Sequence, residues 1–418
     1  MKTIGILYGK ERTFPHALLE HGNAVAPAGV RFAAVDTGAI RQGAVGDYAV
    51  ILDRISQDVP FYRAALKHAA AQGCAVVNNP FWWSAEDKLT ANAFAAQVGV
   101  PVPKTVLLPS KDHPDDTDAD SFTNLRYPLD WDGIFAHVGF PAFLKPNTGG
   151  GWKSVYKVYD PKDVWAAYDQ TGQLNMLLQE GIAFESYFRC YCIGGEHVRV
   201  MPYDPGRPFH ERYVRDGVAV EPELLRTLED YVKRLCRVLG YDFNTVELAV
   251  RDGVPYAIDF TNPAPDADVH SVGEDNFRWV VATAADYLIA RAERHVEGGD
   301  NLTWGQWAQR SAGAVTGGGS AFALADPGTA APARPAQRSR RATPTAASPA
   351  EPKAAATNAT AKASTRKAST RKATAPAKAV ERSPAKGTRG AAAKTGKAAG
   401  KAQPAKKRAV AKRPAKGE

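Results

Sequence analysis

The sequence predicts an α/β protein followed by a segment with no fold of its own, and three observations carry that prediction. Short apolar runs alternate with helical periodicity over the first 80 residues, a glycine-rich loop separates two β-like runs further on, and the composition changes abruptly near residue 330. Strands separated by helices imply a small parallel sheet covered on both faces. At 418 residues the chain is too long for one domain and long enough to bury a sizeable core.

The formal net charge of +9 averages two unlike regions. Residues 331–418 hold 23 of the 53 Lys and Arg but only 3 of the 44 Asp and Glu, which leaves residues 1–330 at about −11 and the remainder at about +20. From residue 331 onward there is no aromatic residue and no Leu, Ile, Met or Cys. Such a segment cannot bury enough apolar area to offset the entropy of ordering it, so it is expected to be disordered. A mobile polycation releases counterions from DNA or RNA and binds without reading sequence, whereas a membrane role lacks an apolar anchor. A solubilising linker with no partner is the competing reading of the same composition.

The four cysteines are too few and too scattered for a disulfide framework, and no apolar run is long enough to span a bilayer. The opening MKTIGILYG reads as a first strand rather than a signal peptide. A reducing cytoplasm is therefore the expected location. Cys190 and Cys192 alternate onto one face of a strand, with no second pair at zinc-site spacing.

Taken in order, residues 3–8, 48–52 and 75–77 have the length and apolarity of buried strands, and residues 61–71 have helical spacing. Gly5 and Gly9 do not make the GxGxxG of a dinucleotide site. Ser84 is expected to cap a helix with Leu89, Ala93, Phe94 and Ala96 at helical spacing, which carries Lys88 and ends at Gly99. A strand over residues 105–108 follows. Asp116, Asp118 and Asp120 mimic the opening of a calcium loop, but Ser121 and Tyr127 stand where that loop needs Gly and Glu, so this stretch reads as a solvated loop.

The stretch FLKPNTGGGWKSVYKV, residues 143–158, reads as strand, glycine loop, strand. Gly149, Gly150 and Gly151 let backbone N–H groups approach phosphate oxygens without Cβ atoms in the way, and Lys145 adds a point charge. A plain hairpin turn is the alternative. Residues 161–168 look helical, and residues 177–182 form a short strand with Gln179 and Glu180. Gly194 and Gly195 turn a hairpin between two strands, one carrying Glu185 and Arg189 and the other Arg199. Whether those charges face water or a ligand is left open by the residues alone.

Residues 221–239 form an amphipathic helix closed by Gly240. Asp252 and Gly253 then turn a hairpin between residues 243–250 and 255–260, with Glu247 inside the first strand and Asp259 near the end of the second. A carboxylate among apolar strand residues is costly unless it is paired or binds metal, so the two suggest a hard-cation site; the alternative is that each points to water. A two-residue turn would set Glu247 opposite Ile258 and send Asp259 to the other face. A three-residue loop with Gly253 in a bulge brings both acids together, and that register is the expectation. A last helix is expected over residues 276–295, then a polar run-out over residues 301–323 in which Trp304 and Trp307 dock on the folded body.

As an ordered set, Lys88, Lys145, the glycine loop, the QEGI strand and the Glu247 and Asp259 hairpin resemble the ATP-grasp superfamily, in the branch of the ribosomal-protein glutamate ligases (RimK-like) and bacterial glutathione synthetases. The likeness covers about residues 1–300. The repeats ASTRKASTRK and SPAK resemble the tails of linker histones and bacterial histone-like proteins. The resemblance implies a pre-ATP-grasp, Rossmann-like domain over 1–80, an N-terminal lobe with the glycine loop over 81–180, a C-terminal lobe with the metal site over 181–310, and a disordered basic tail over 311–418. The fold class is then α/β, with α+β lobes.

The same resemblance implies residue roles. Lys88 and Lys145 would contact the α- and β-phosphates of ATP, with Gly149, Gly150, Gly151 and Ser154 folded over the β- and γ-phosphates. Gln179 and Glu180 would meet the adenine amino group, the Ile182 backbone a ring nitrogen, and Glu185 the ribose hydroxyls. Glu247 and Asp259 would bind Mg²⁺, or Mn²⁺ in its place. The family pattern of acid, any residue, Asn is not kept: DFTNP puts Thr261 at the third place and Asn262 one later, and either could complete the shell. Arg189 and Arg199 would hold a carboxylate or the leaving phosphate.

The implied activity is ATP-dependent ligation of a small-molecule or peptide carboxylate to an amine through an acyl phosphate, with nucleoid or ribosome association through the tail. A phosphotransferase using the same nucleotide site, and a nucleic-acid-binding protein whose body senses nucleotide, are the rival readings.

Overall fold

A computed structural model describes residues 1–307 apart from Val45 and residues 215–218, so the expected basic tail lies outside the described residues. Four strands, β1 (Lys2–Leu7), β2 (Val30–Ala34), β3 (Val50–Asp53) and β4 (Ala75–Val77), form a parallel sheet in the order β2-β1-β3-β4. Helices α1 (Thr13–Val25) and α2 (Pro60–Ala71) accompany them. The sequence reading had not singled out α1 and β2. The inward positions of α1 are Phe14, Leu18 and Gly22 at steps of four, with His and Glu between them masking the stripe.

Helix α3 (Lys88–Gln97) begins later than expected. Asp87, not Ser84, is its cap: the Asp87 carboxylate accepts from the Thr90 N–H at 2.8 Å, while the Ser84 hydroxyl donates to the Pro80 carbonyl in the preceding turns. Ala91, Phe94 and Ala95 of α3 share a core with residues of the C-terminal sheet and its helix, including Leu228, Val232 and Val246.

The second sheet is antiparallel, in the order β5-β8-β6-β7, from β5 (Thr105–Leu108), β6 (Ala142–Pro146), β7 (Tyr156–Val158) and β8 (Met176–Glu180). Helices α4 (Trp131–Val138) and α5 (Pro161–Tyr168) cover one face. Ala142, Leu144, Val158, Met176 and Leu178 enter that core with Val138 and Val164. Strand alternation therefore sends Phe143, Lys145, Leu177 and Gln179 to the opposite face. The acidic loop holds no calcium-loop geometry: Asp118 caps a short 3₁₀ turn, Ala119–Phe122.

The third sheet, order β10-β9-β11-β12, is antiparallel and consists of β9 (Ser186–Ile193), β10 (His197–Pro202), β11 (Phe243–Arg251) and β12 (Val254–Asp259). One face packs on α6 (Pro222–Leu239) through Cys190, Cys192, Val246 and Leu248. All four cysteines are buried free thiols. The other face carries Tyr187, Arg189, Tyr191, Thr245 and Glu247. Part of this face joins the core of the parallel sheet, where Tyr191 and Phe243 meet Ile4, Phe14 and Leu18. After α7 (Val269–Val272), helix α8 (Glu274–Arg294) completes this joint core with Val280, Ala284 and Leu288. Trp307 stacks on Trp82 and Phe94, with centroids 5.9 and 5.5 Å away.

The hairpin between β11 and β12 corrects one expectation and keeps its consequence. Arg251 pairs with Val254 across a two-residue turn in which Asp252 and Gly253 have φ of +53° and +72°, so Gly253 is not in a bulge. Asp-Gly satisfies the two left-handed positions of such a turn directly. The register shift falls at the far end instead, where Leu248 pairs with Ala257 but Glu247 with Asp259, leaving Ile258 as the extra residue. Both acids thus lie on one face.

Candidate active site

Lys145 leaves β6 on the face away from that sheet's own core. Its ammonium is buried and donates to the Ile258 carbonyl at 3.2 Å, on the bulge of β12. Burial lowers its pKa to about 8, although the nearby Asp259 and Glu247 carboxylates pull it upward. Lys88, the first residue of α3, donates from Nζ to the Gly149 carbonyl at 2.7 Å and stands 4.0 Å from Asp259 Oδ1. Asn147 fixes this arrangement: its carbonyl accepts from the Lys88 N–H and its side-chain oxygen from the Leu89 N–H, tying the stem of the glycine loop to the start of α3. Two lysines on separate elements are thereby aimed at one acidic hairpin.

The glycine loop is open. No heavy atom lies within 4 Å of a Cβ built at Gly149, Gly150 or Gly151, and Gly149 and Gly151 have φ of +82° and +73°. Trp152 and Ser154 also sit in the left-handed region, at +61° and +53°, which costs energy for residues with a Cβ. The exposed Trp152 ring lies 5.2 Å from the Arg212 guanidinium, so the loop touches the segment beyond β10.

Glu247 is buried, and burial holds its pKa above the ordinary carboxylate value even though Arg189 opposes that shift. Arg189, directly opposite on β9, donates from Nη1 to Oε1 at 2.6 Å, and the Tyr187 hydroxyl donates to Oε2 at 2.6 Å. The Asp259 side chain is 46% exposed and faces the lysines. Asn262 donates from Nδ2 to the Thr245 hydroxyl at 3.2 Å, and Thr245 is two residues from Glu247 on the same face. That contact directs the Asn262 nitrogen, not its oxygen, toward β11.

Among the described residues no group of three or more His, Cys, Asp or Glu is arranged to hold a metal. Two carboxylates and an amide oxygen nevertheless match the chemistry of Mg²⁺, which takes few protein oxygens and fills its octahedron with phosphates and water.

Arg199 lies on the same face as Arg189 and donates from Nε to Asn276 Oδ1 at 2.9 Å. Arg189 also lies over the Tyr203 ring at 5.6 Å, and Tyr203 is joined to Tyr213 by an isolated β-bridge.

The residues expected around an adenine divide between faces. Gln179 lies on the Lys145 face and donates to the Thr105 hydroxyl at 2.9 Å. Glu180 pairs with Ala142 on the opposite face and is held by Arg251 at 2.8 Å, because strand alternation separates adjacent side chains. Ile182 packs partly buried against the joint core. Glu185 is exposed and accepts from the Asp252 N–H at 3.2 Å, at the turn between β11 and β12.

No family model matches the chain. A solved RimK-domain ATP-grasp structure from Sphaerobacter thermophilus aligns with 69% of this chain and 99% of its own at a TM-score of 0.50 and 19% sequence identity. The chain has the ATP-grasp fold. A D-alanine–D-alanine ligase structure from Bacillus anthracis, complexed with ATP, gives a TM-score of 0.49 at 15% identity over 70% of this chain and 98% of that one. In sequence, D-alanine–D-alanine ligases from Clostridium botulinum strains are 23% identical over 145 residues, which is 31% of this chain. The chain spans about half the length of the curated relatives it matches, 47%.

Within the ATP-grasp fold the described helices include none long and apolar enough to cross a membrane. The sequence reading missed Asn147 and Tyr187. Tyr187 had a usable signal, since it stands two residues before Arg189 in a strand and so shares its face. Asn147 had none, because its partners on α3 lie about sixty positions away.

Proposed function

We propose that the chain is an ATP-dependent ligase that joins a carboxylate to an amine. The observation that carries this is the convergence of Lys88 of α3 and Lys145 of β6 on the hairpin that pairs Glu247 of β11 with Asp259 of β12, beside an open glycine loop. Lys88 and Lys145 would neutralise phosphate oxygens of ATP, and an ammonium with three N–H groups can do so while keeping one backbone contact. Gly149, Gly150, Gly151 and Ser154 would cover the β- and γ-phosphates. Gln179 and the Ile182 backbone would meet the adenine, and Glu185 would hold the ribose. Glu247, Asp259 and Asn262 would hold Mg²⁺, which when bound screens the triphosphate charge.

In the first step a substrate carboxylate oxygen attacks the γ-phosphorus, the bond to the β–γ bridging oxygen breaks, and ADP leaves. In the second an amine attacks the acyl carbon and inorganic phosphate departs with the bonding pair. Arg189 and Arg199 would stabilise the charge on the acyl phosphate, as paired guanidinium donors suit such oxyanions. The Clostridium botulinum relatives are ligases, in agreement with this reading.

The division at residues 80, 180 and 310 belongs to the same proposal. So does the basic segment, whose composition supports non-specific DNA or RNA binding by counterion release.

The test is ADP release from wild type and Lys145→Ala with panels of small-molecule and peptide carboxylates and amines, with hydroxylamine added to trap an acyl phosphate as hydroxamate. Carboxylate-dependent hydroxamate formation that Lys145→Ala abolishes supports ligation. ADP release with a hydroxyl acceptor alone would show a phosphotransferase instead.

A further inference from the structure

Glu247 is gripped at both oxygens, and one of the two grips is not accounted for by the proposed chemistry. Arg189 holds Oε1 and is itself placed to meet an oxyanion, whereas the Tyr187 hydroxyl on Oε2 is fully enclosed. Tyr187 pairs with Ala249 on β11, one step along the face from the Arg189–Glu247 pair, so its hydroxyl reaches Glu247 diagonally across the two strands. The ring is wedged between Phe184 and Tyr203, with centroids 5.1 and 6.0 Å away.

We propose that Tyr187 is a positioning residue for divalent-cation binding: it locks the plane of the Glu247 carboxylate so that the lone pairs left over by its two donors face Asp259. This rests on the reading of Glu247 and Asp259 as metal ligands. Each carboxylate oxygen offers about two lone-pair directions, and a single hydrogen bond to each leaves one for a cation. With only Arg189 in place the carboxylate pivots about one contact, and its orientation is no longer set before the metal arrives. Groups that orient a metal ligand in this way are typically worth about 10- to 100-fold in metal affinity.

The experiment measures Mn²⁺ binding to the full chain by electron paramagnetic resonance, with and without ADP, for wild type, Tyr187→Phe, Asp259→Asn, Glu247→Gln and the double variant Tyr187→Phe with Glu247→Gln. Circular dichroism checks that each is folded. Tyr187→Phe is expected to weaken Mn²⁺ binding about tenfold while ADP binding measured in EDTA stays at the wild-type value. In the Glu247→Gln background the same substitution is expected to do nothing further, because no carboxylate remains to be oriented.

Wild-type Mn²⁺ affinity in Tyr187→Phe, together with loss of binding in Asp259→Asn, overturns the role of Tyr187 and leaves the metal site standing. Wild-type Mn²⁺ affinity in Asp259→Asn overturns the metal site itself. An equal loss in both backgrounds shows Tyr187 to be structural only and also overturns the proposal.

Discussion

Replacing Arg189 with Met separates a structural ion pair from a metal ligand. Arg189 and Glu247 are 12% and 11% exposed at the side chain and 2.6 Å apart. Removing the guanidinium strands a carboxylate that burial already disfavours in its charged form, leaving it only the Tyr187 hydroxyl. Breaking a buried pair from one side costs about 3–5 kcal/mol. For a folded body of this size each kcal/mol moves the melting midpoint by about 2 °C, so the loss should be roughly 6–10 °C in EDTA. A ligand present at about 100 times its Kd returns about 2.7 kcal/mol. Mg²⁺ should therefore raise the midpoint of Arg189→Met by several degrees, because the cation supplies the positive charge that the carboxylate has lost. The assay is differential scanning fluorimetry across an Mg²⁺ titration of both proteins. If Mg²⁺ leaves the variant as unstable as EDTA does, Glu247 is not a ligand and its pairing with Arg189 is purely structural.

Three other outcomes follow from the geometry. Lys145, lowered to about 8 by burial, is half neutral in the free protein at that pH, so affinity for tripolyphosphate should fall roughly fivefold between pH 8 and 9 and Lys145→Met should remove the dependence, as read by isothermal titration. The unfolded chain holds that proton up to its ordinary 10.5, so Lys145 also makes stability rise with pH from about 8 to 10.5, a slope that Lys145→Met should abolish in urea melts. Gly181→Ala should destabilise by about 1–3 kcal/mol in urea unfolding, since its Cβ would stand 2.6 Å from the Pro141 carbonyl, a backbone atom that cannot swing aside.

The acidic hairpin was readable in the sequence because Asp-Gly between two apolar runs announces a turn and a carboxylate inside such a run demands a partner. Its register was not readable in detail. The same-face outcome was right, but the extra residue is Ile258 rather than a member of the turn, and nothing in the local sequence distinguishes those two ways of shifting a strand by one. Helix α1 was obscured because its inward stripe is narrow and includes Gly22, a residue that scores as a breaker yet is required there: a Cβ would lie 2.8 Å from the Phe32 ring. Glu180 misled for another reason. Adjacency in sequence to Gln179 reads as a shared role, whereas alternation in β8 gives the two side chains opposite faces.

The cores divide the elements around the candidate site into two groups. The parallel sheet and the Glu247 face of the third sheet share one continuous core through α1 and α8, and Tyr187, which donates to Glu247, is part of it. The β5-β8-β6-β7 sheet keeps its own core, and its links to the other elements include polar ones: Lys145 to the Ile258 carbonyl, Glu180 to Arg251, and Asn147 and Gly149 to the start of α3. Polar contacts of this kind, partly open to solvent, contribute little net stability each, whereas the apolar cores on either side resist deformation. Any relative motion is therefore cheapest between the cores, with Lys145 and the glycine loop on the side of the β5-β8-β6-β7 sheet and Glu247 and Asp259 on the side of the third sheet. If, as proposed, a nucleotide bridges the two, it would replace weak polar links with charge-assisted ones and so couple their relative placement to occupancy of the site.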